Sequence, residues 1–327
     1  MVAGDSENRE TAWRGHLVAL VLSGLVLGSF WAWAVSSDPA PGDYVAYPAH
    51  EYFPLMVEGW LQGRLDLPLP VAEGLLRLPD PYDPEANEAY RYAGNLGVHD
   101  LSLYGHRLYM YWGPAPALVA FLPWRVLTGS GLSTAWAVWG FVLAGWLFTA
   151  MLLLHLIGRY YPQTRWAVAL AVLLVVGFGN FAAVVLTRAS VYEVSIAAAY
   201  AFTSLAWWQL AVALWRPPLQ RAMPLAAASL AFGLAIASRP SWIVVTPVLL
   251  AALWDVRDQW RLSLFRVLST HAILPVLTCL IALLLLNTLR FDNPLEFGTR
   301  YQLMAQRPPS GLFAVEHIPL SVCMYLL

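Results

Sequence analysis

Residues 15–36 read GHLVALVLSGLVLGSFWAWAVS, a run that contains no Asp, Glu, Lys or Arg. A helix of about 20 apolar residues is long enough to cross the hydrocarbon core of a bilayer. The run follows Arg9 and Arg14, as the apolar part of a signal peptide does, but it is longer than such a part and further apolar runs follow it. The sequence therefore predicts a retained first transmembrane helix over residues 16–36, after a cytoplasmic N-terminus over residues 1–15.

Six further apolar runs predict membrane helices. They are Leu132–Ile157, Trp166–Thr187, Val194–Trp215, Ala222–Ser238, Pro240–Trp254 and Val267–Leu289. Across the chain 59% of the residues are hydrophobic and 12% are charged, a composition that excludes a water-soluble globular domain. The predicted fold class is an all-α integral membrane protein, a polytopic helix bundle whose transmembrane part covers residues 132–289. A net charge of -1 gives no indication of a nucleic-acid partner.

The charge between residues 37 and 107 determines the predicted orientation. This segment holds eleven acidic residues against four arginines, whereas short cytoplasmic loops are rich in basic residues. We therefore predict that residues 37–131 form one large loop outside the cytoplasm. If the apolar segment Leu108–Leu127, which contains three prolines, spanned the membrane, the later arginine-bearing connections would fall outside. We therefore predict instead that it lies on or dips into the outer surface. With that topology, the arginine-bearing connections between the later spans fall in the cytoplasm, as the positive-inside rule requires.

Further predictions concern the outer loops and the end of the chain. Apolar residues recur at helical spacing over Glu51–Leu65, which predicts an amphipathic juxtamembrane helix on the membrane surface. The proline-rich stretch Leu67–Tyr92 predicts an irregular segment. Residues 290–318 are predicted to form a second outer loop, and residues 319–327 to begin a further transmembrane helix in a truncated sequence.

Four segments carry a resemblance to a known family. They are Glu58–Pro68 (EGWLQGRLDLP), Tyr104–Pro123 (YGHRLYMYWGPAPALVAFLP), Ala237–Ser241 (ASRPS) and Asn287–Leu303 (NTLRFDNPLEFGTRYQL). With these segments the chain resembles bacterial membrane glycosyltransferases of the GT-C type. Relatives of that type include protein O-mannosyltransferases, the aminoarabinose transferase of lipid A and oligosaccharyltransferase catalytic subunits. The last two segments are similar to a less characterised branch of bacterial integral membrane proteins.

The resemblance implies an inverting transfer of a sugar from a polyprenyl-phosphate donor to an acceptor, on the outer face of the bacterial inner membrane. In such enzymes an acidic residue shortly after the first span is the catalytic base, which implies Asp43 for that role. Glu51 is the alternative, since the sequences around both carboxylates match half of the family pattern. No cofactor is implied. A divalent metal would need ligands such as His50, His99 and His106, which lack the spacing of a metal site.

Arg188 and Arg239 are the candidates for binding the donor phosphate, because a guanidinium group keeps its charge and donates two parallel hydrogen bonds. Arg239 interrupts an apolar stretch over residues 222–254, where an unpaired charge would cost several kcal/mol. A snorkelling arginine in a tight turn before Pro240 explains the position equally well. The predicted topology places both arginines on the same side of the membrane as the large loop.

Further candidates are predicted to contact the substrate or the lipid. They are Tyr52, Asp100, Tyr192, Glu193, Arg300 and Tyr301. For Glu193 the alternative explanation is a favourable interaction with the dipole of the following helix. For Arg300 and Tyr301 the alternative is a position in a solvated turn. Most tryptophans are interpreted as interfacial anchors, with Trp60 and Trp112 as the candidates for stacking on a sugar.

Two other function classes stay open. A secondary transporter or lipid-carrier flippase would have charged or broken helices near the bilayer midplane and an internal repeat, and the sequence shows no repeat and almost no charge within the spans. A non-catalytic envelope-assembly protein would have the same hydropathy.

Overall fold

The computed structural model describes residues 2–37, 51–91, 98, 100–217, 220–248, 254, 262–305 and 319. It is mostly helical (73%) and has almost no sheet, so the chain belongs to the all-α class. Within the described ranges, four helices are long and apolar enough to cross a membrane. They are Trp13–Ser37, Thr134–Tyr160, Val191–Trp215 and Arg266–Phe291. The prediction of an all-α membrane protein is confirmed at this level.

The helices and strands follow one another along the chain as follows. The α-helices are α1 (Val2–Ser37), α2 (Tyr52–Leu61), α3 (Glu73–Leu76), α4 (Pro84–Arg91), α5 (Leu122–Thr128), α6 (Thr134–Tyr160), α7 (Trp166–Phe178), α8 (Ala182–Thr187), α9 (Val191–Trp215), α10 (Ala222–Ser238) and α11 (Leu262–Phe291). Strands β1 (Ser102–Tyr104) and β2 (Arg107–Tyr109) form an antiparallel hairpin. A π-helical turn (Ala117–Phe121) leads into α5, and 3-10 turns cover Pro240–Val245 and Thr299–Tyr301.

Helix α9 lies at the centre of the bundle. Helices α6 and α10 pack against it, α11 packs against α10, and α1 packs against α6 and α7. Small residues allow the helices to approach closely, as is usual within membranes. A Cβ on Gly145 of α6 would lie 2.4 Å from the ring of Tyr200 on α9. The close packing of α6 on α9 therefore depends on a glycine at this position.

Side-chain contacts place the large loop at one end of the bundle, which we call the loop end. The hydroxyl of Thr134, at the start of α6, donates to Glu51 at 3.0 Å. Tyr192, at the start of α9, contacts Asp100. Gly113 packs against the last turn of α10. The described residues between 51 and 113 thus share one end with the N-termini of α6 and α9 and with the C-terminus of α10.

The segment Leu108–Leu127 starts and finishes at the loop end. At its start, Gly113 lies against α10. Towards its finish, Arg125 Nε donates to the carboxylate of Glu58 on α2 at 2.5 Å. The segment therefore folds back within the protein at the end of the bundle. The side of the membrane that this end faces stays a prediction.

Other contacts define the opposite end of the bundle. His16 of α1 forms a hydrogen bond with the carbonyl of Thr164, between α6 and α7, at 3.1 Å. Arg159, near the end of α6, lies 5.5 Å from the ring centroid of Trp215, the last residue of α9. The start of α1 therefore lies beside the C-termini of α6 and α9, away from the large loop.

The structure differs from the predicted span Trp166–Thr187, which it divides into α7 and α8. The interruption follows Gly179, and the side chain of Asn180 then accepts a hydrogen bond from the N–H of Ala182 at 2.8 Å. An asparagine side chain that accepts from the N–H two residues later forms a local turn, which competes with continuation of the helix. Hydropathy does not detect this break, because the residues on both sides are apolar.

The predicted span Pro240–Trp254 also begins differently, since its first described residues form a 3-10 turn, Pro240–Val245. The proline-rich stretch Leu67–Tyr92 was predicted to be irregular but contains α3 and α4. Helix α4 forms because Pro84 occupies its first position and the side chain of Asp83 accepts from the N–H of Glu85 at 3.1 Å.

Within the predicted amphipathic segment Glu51–Leu65, α2 covers Tyr52–Leu61. Its apolar face packs against protein. The ring of Phe53 stacks on that of Phe121 with centroids 5.2 Å apart, and Tyr52 lies against Trp112 at 6.2 Å. Helix α2 therefore supports the segment that leads to the candidate site.

Candidate functional site

A carboxylate and an aromatic group meet at the loop end. The hydroxyl of Tyr192 donates to Asp100, a residue 92 positions earlier in the chain. The ring of Trp112 meets Tyr192 edge-on with centroids 5.0 Å apart, and Tyr111 stacks on Trp112 at 4.1 Å. The start of α9 and the segment after β2 together hold these side chains in place.

Arg239 lies next to this group because α10 ends immediately before it. Pro240 cannot continue the helix and favours an extended conformation for the residue that precedes it. Arg239 has that conformation, with φ −142° and ψ 108°. The guanidinium group is exposed, and the backbone break allows it to face a cavity beside α9.

The charges of Asp100 and Arg239 both affect the pKa of the Tyr111 phenol. Burial raises its pKa, and the negative charge of Asp100 adds to that rise. The positive charge of Arg239 and a hydrogen bond with Gln302 lower the pKa, but they offset only part of the rise. Tyr111 is therefore a neutral hydrogen-bonding group at neutral pH, and its pKa responds to both a carboxylate and a guanidinium.

A cavity of about 350 Å³ begins at Arg239 and follows α9 into the bundle. Its lining consists of Phe181, Ile196, Tyr200, Thr203, Ser204, Arg239, Ser241 and Trp242. Ser204 lies thirteen residues after the first residue of α9, Val191, which is roughly 20 Å along the helix axis. The cavity thus connects the loop end with the membrane-spanning part of the bundle.

Hydroxyl groups lie along one wall of this cavity. Thr149 of α6 donates to Ser204 at 3.1 Å and lies 3.5 Å from the hydroxyl of Tyr200. The hydroxyl of Thr203 is buried and has no hydrogen-bond partner among the described residues. The cavity therefore combines an apolar wall with a polar one.

Arg188 and Glu193 are brought together at the start of α9. Two nitrogens of Arg188 contact Glu193 Oε1, at 3.1 and 3.0 Å. The other oxygen of Glu193 accepts from the backbone N–H and the hydroxyl of Ser190, which completes a capping box. Glu193 thus caps α9. The side chain of Arg188 is 75% exposed and lies at the helix end that carries Tyr192.

Glu51 lies at the start of α6. Its Oε2 accepts from the hydroxyl of Thr134 at 3.0 Å and from the N–H of the same residue at 3.4 Å. Burial raises the pKa of the Glu51 carboxyl, and the two hydrogen bonds from Thr134 offset part of that rise. The carboxylate of Glu51 thus binds the first residue of α6 and serves as a cap for that helix.

The remaining predicted site residues fall in two places. Tyr52 is buried beneath Trp112. Tyr301 packs in an aromatic cluster with Tyr104 at 4.7 Å and with Tyr82 at 5.9 Å. Arg300 is exposed and lies 3.5 Å from Glu296.

Asp43, the first choice for the catalytic base, lies outside the described residues. His50 and His99 do so as well. Within the described ranges no group of three His, Cys, Asp or Glu side chains is arranged to hold a metal ion.

Several residues of the site were not predicted as site residues from the sequence. Tyr111 was part of a family-like segment, and Gln302 lay beside the predicted Tyr301. The hydroxyls of Tyr200, Thr203 and Ser204 carried no signal, because such residues are common in membrane helices.

We compared the chain with protein-family models, with curated proteins and with solved structures. None matched it.

Proposed function

We propose that the chain is a membrane glycosyltransferase that acts on the outer face of the bacterial inner membrane, with its N-terminus in the cytoplasm. It moves a sugar from a polyprenyl-phosphate-linked donor to an envelope lipid, glycan or protein, with inversion at the anomeric carbon. The observation that carries this proposal is the position of Arg239. This arginine lines a cavity that enters the membrane bundle, and it follows directly on the turn of α10 against which Gly113, the neighbour of Trp112, packs.

A lipid-linked donor fits this arrangement by its chemistry. Its phosphate would bind the guanidinium of Arg239, which keeps its charge throughout the reaction. The part of the lipid next to the phosphate would enter the cavity along α9, where Phe181, Ile196 and Trp242 supply apolar surface. The sugar would then face the loop end, where the partly exposed ring of Tyr111, stacked on the buried Trp112, offers aromatic surface and the carboxylate of Asp100 binds Tyr192.

The reaction needs a cation that stabilises the departing phosphate and a carboxylate that accepts a proton. As the bond between the anomeric carbon and the phosphate oxygen breaks, negative charge grows on the phosphate, and Arg239 stabilises it. A carboxylate must accept the proton of the attacking hydroxyl while the anomeric carbon gains oxocarbenium character. The loop end supplies both kinds of group. The resemblance implies Asp43 for the carboxylate.

Replacement of Arg239 tests the proposal. The purified full chain in liposomes would be given polyprenyl-phosphate-linked mannose, glucose or arabinose and a membrane lipid extract, with products followed by mass spectrometry. We expect R239Q to lower kcat at least about 100-fold, since one donor to the developing charge is lost. R239K should lose about tenfold, because lysine keeps the charge without the planar pair of donors.

The matched control is R77Q, which removes an exposed arginine of the α3 segment that pairs with Glu73 at 2.8 Å. It should leave the transfer rate unchanged. A transfer rate within twofold of wild type in R239Q would contradict the role of this arginine. Absence of transfer by the wild-type chain from every donor of the panel would contradict the proposed reaction.

Transport is the second candidate function, and the broken helices favour it. The cavity is bordered by Phe181 at the break between α7 and α8, and by Arg239 at the end of α10. Interrupted helices around a binding site are typical of secondary transporters and predict movement of the ligand across the bilayer. The same liposomes distinguish the two functions, because a flippase moves the labelled donor between leaflets without forming a glycosylated product.

A further inference from the structure

The backbone at Asp100 has a conformation that non-glycine residues seldom adopt. Among the described residues, positive φ angles occur at three non-glycine positions, Asp100 (58°), His106 (62°) and Asp292 (55°). His106 lies in the hairpin turn and Asp292 follows the end of α11, where left-handed residues are usual. Asp100 belongs to neither kind of position.

Contacts from distant parts of the chain hold Asp100 in this conformation. Its N–H donates to the carbonyl of Leu303 at 3.3 Å, and its carboxylate accepts from Tyr192. A left-handed conformation is disfavoured for L-residues, although Asp adopts it more often than most. Such strain persists when the surroundings impose it, and it is concentrated at functional sites. The chain thus holds this carboxylate at the start of α9, where Tyr192 meets Trp112 and Trp112 stacks on Tyr111.

Other carboxylates at the loop end are engaged in structural contacts. Glu51 caps α6 through Thr134, and Glu193 caps α9 through Ser190. Asp66 is buried and contacts Arg64 and Arg107. Asp100 differs from these three because its partner, Tyr192, packs against Trp112, on which Tyr111 stacks.

We propose that Asp100 is the catalytic base of the transfer reaction, with Tyr192 as its positioning residue. This inference rests on the proposed function and assigns to Asp100 the role that the resemblance implies for Asp43. The carboxylate takes the proton of the acceptor hydroxyl while the acceptor oxygen bonds to the anomeric carbon. The bond from that carbon to the phosphate oxygen breaks, and its electron pair leaves with the lipid phosphate held by Arg239. Water then takes the proton from Asp100.

The test compares D100N with a matched control in the full chain, using the donor that the wild type accepts. Asp292 is the control, because it has nearly the same φ and accepts from a tyrosine hydroxyl, that of Tyr104, at 2.9 Å. We expect D100N to lower kcat at least about 100-fold with little change in KM, as loss of a general base does. D292N should leave both constants unchanged, and D100E should restore part of the rate.

The pH dependence of kcat separates a base from a structural contact. In the wild type, kcat should fall at acid pH as the base becomes protonated, and D100N should lose this acid limb. Y192F should retain the limb and lower kcat about tenfold, since the carboxylate remains but loses the hydrogen bond that orients it. An acid limb that is unchanged in D100N would overturn the proposal.

Asp43 gives a second test that does not require D100N to fold. If Asp100 is the base, the acid limb of the pH profile should persist in D43N. If D43N abolishes transfer and D100N transfers at the wild-type rate, Asp43 is the base and the inference is overturned. Failure of the wild-type chain to transfer any sugar would instead count against the proposed function, so the two failures are distinguishable.

Discussion

Glu51 shows how local contacts decide what a carboxylate can do. Its Oε2 accepts both hydrogen bonds that Thr134 can offer at the start of α6. A glutamine can accept the same two hydrogen bonds through its amide oxygen. We therefore predict that E51Q keeps a transfer rate within twofold of wild type, measured in the same liposome assay. A loss of 100-fold would show that this carboxylate takes part in the reaction.

The same residue predicts a pH dependence of stability. Because the pKa of Glu51 is raised above its ordinary value of 4.5 in the folded chain, protonated Glu51 stabilises the fold. That contribution is fully present below about pH 4.5 and is lost as the pH rises through the raised pKa. Thermal unfolding in detergent from about pH 4 to pH 8 should show this loss in the wild type but not in E51Q. Equal slopes in the two proteins would contradict the prediction.

The sequence predicts Arg239 as a site residue but does not predict the hydroxyl groups of the cavity. An arginine followed by a proline inside an apolar stretch is visible to hydropathy alone, and its position at a helix end follows from Pro240. Tyr200 and Thr203 lie in an ordinary membrane helix, and only the packing of α6 and α10 around α9 leaves space beside them.

Gly113, in the segment after β2, packs so closely against the end of α10 that no side chain fits at position 113. A Cβ on Gly113 would lie 1.9 Å from the carbonyl oxygen of Ala237, closer than any real contact. This approach sets the position of Tyr111 and Trp112, which precede the glycine. The geometry of the site therefore depends on how closely α10 and this segment pack.

We predict that G113A lowers stability by about 1–3 kcal/mol, because the segment must move away from α10. The transfer rate should fall as well, since Tyr111 and Trp112 move with it. The control is G140A in α6, where a Cβ meets nothing within 4 Å. Thermal unfolding and transfer rates of both variants check the prediction. A G113A protein as stable and active as G140A would contradict it.

Helix breaks mark the limit of hydropathy as a predictor. The apolar pattern locates α6 and α9 to within a few residues, because a span is a property of consecutive residues. The same pattern predicted a single span over Trp166–Thr187. It did so because the break between α7 and α8 involves only one polar side chain, that of Asn180. A turn formed by one side chain is a local event that an average over about twenty residues conceals.

The assembled site depends on contacts between parts of the chain that are far apart. Asp100 and Tyr192 were each predicted to bind substrate, but no sequence pattern indicated that they pair across 92 positions. The link from Tyr111 to Gln302 is longer still. Hydropathy and charge are read along the chain, so they predict helices and topology. They do not predict which residues of separate loops meet above the bundle.

The most direct test of the proposed reaction is mass spectrometry of lipids and envelope glycans from a strain that lacks this chain. We predict that the strain loses one sugar substituent and accumulates the polyprenyl-phosphate-linked form of that sugar. The wild-type chain should restore both, and R239Q should restore neither. Glycans that are all intact in the deletion strain, together with failed export of a solute, would contradict the transferase and favour a transporter.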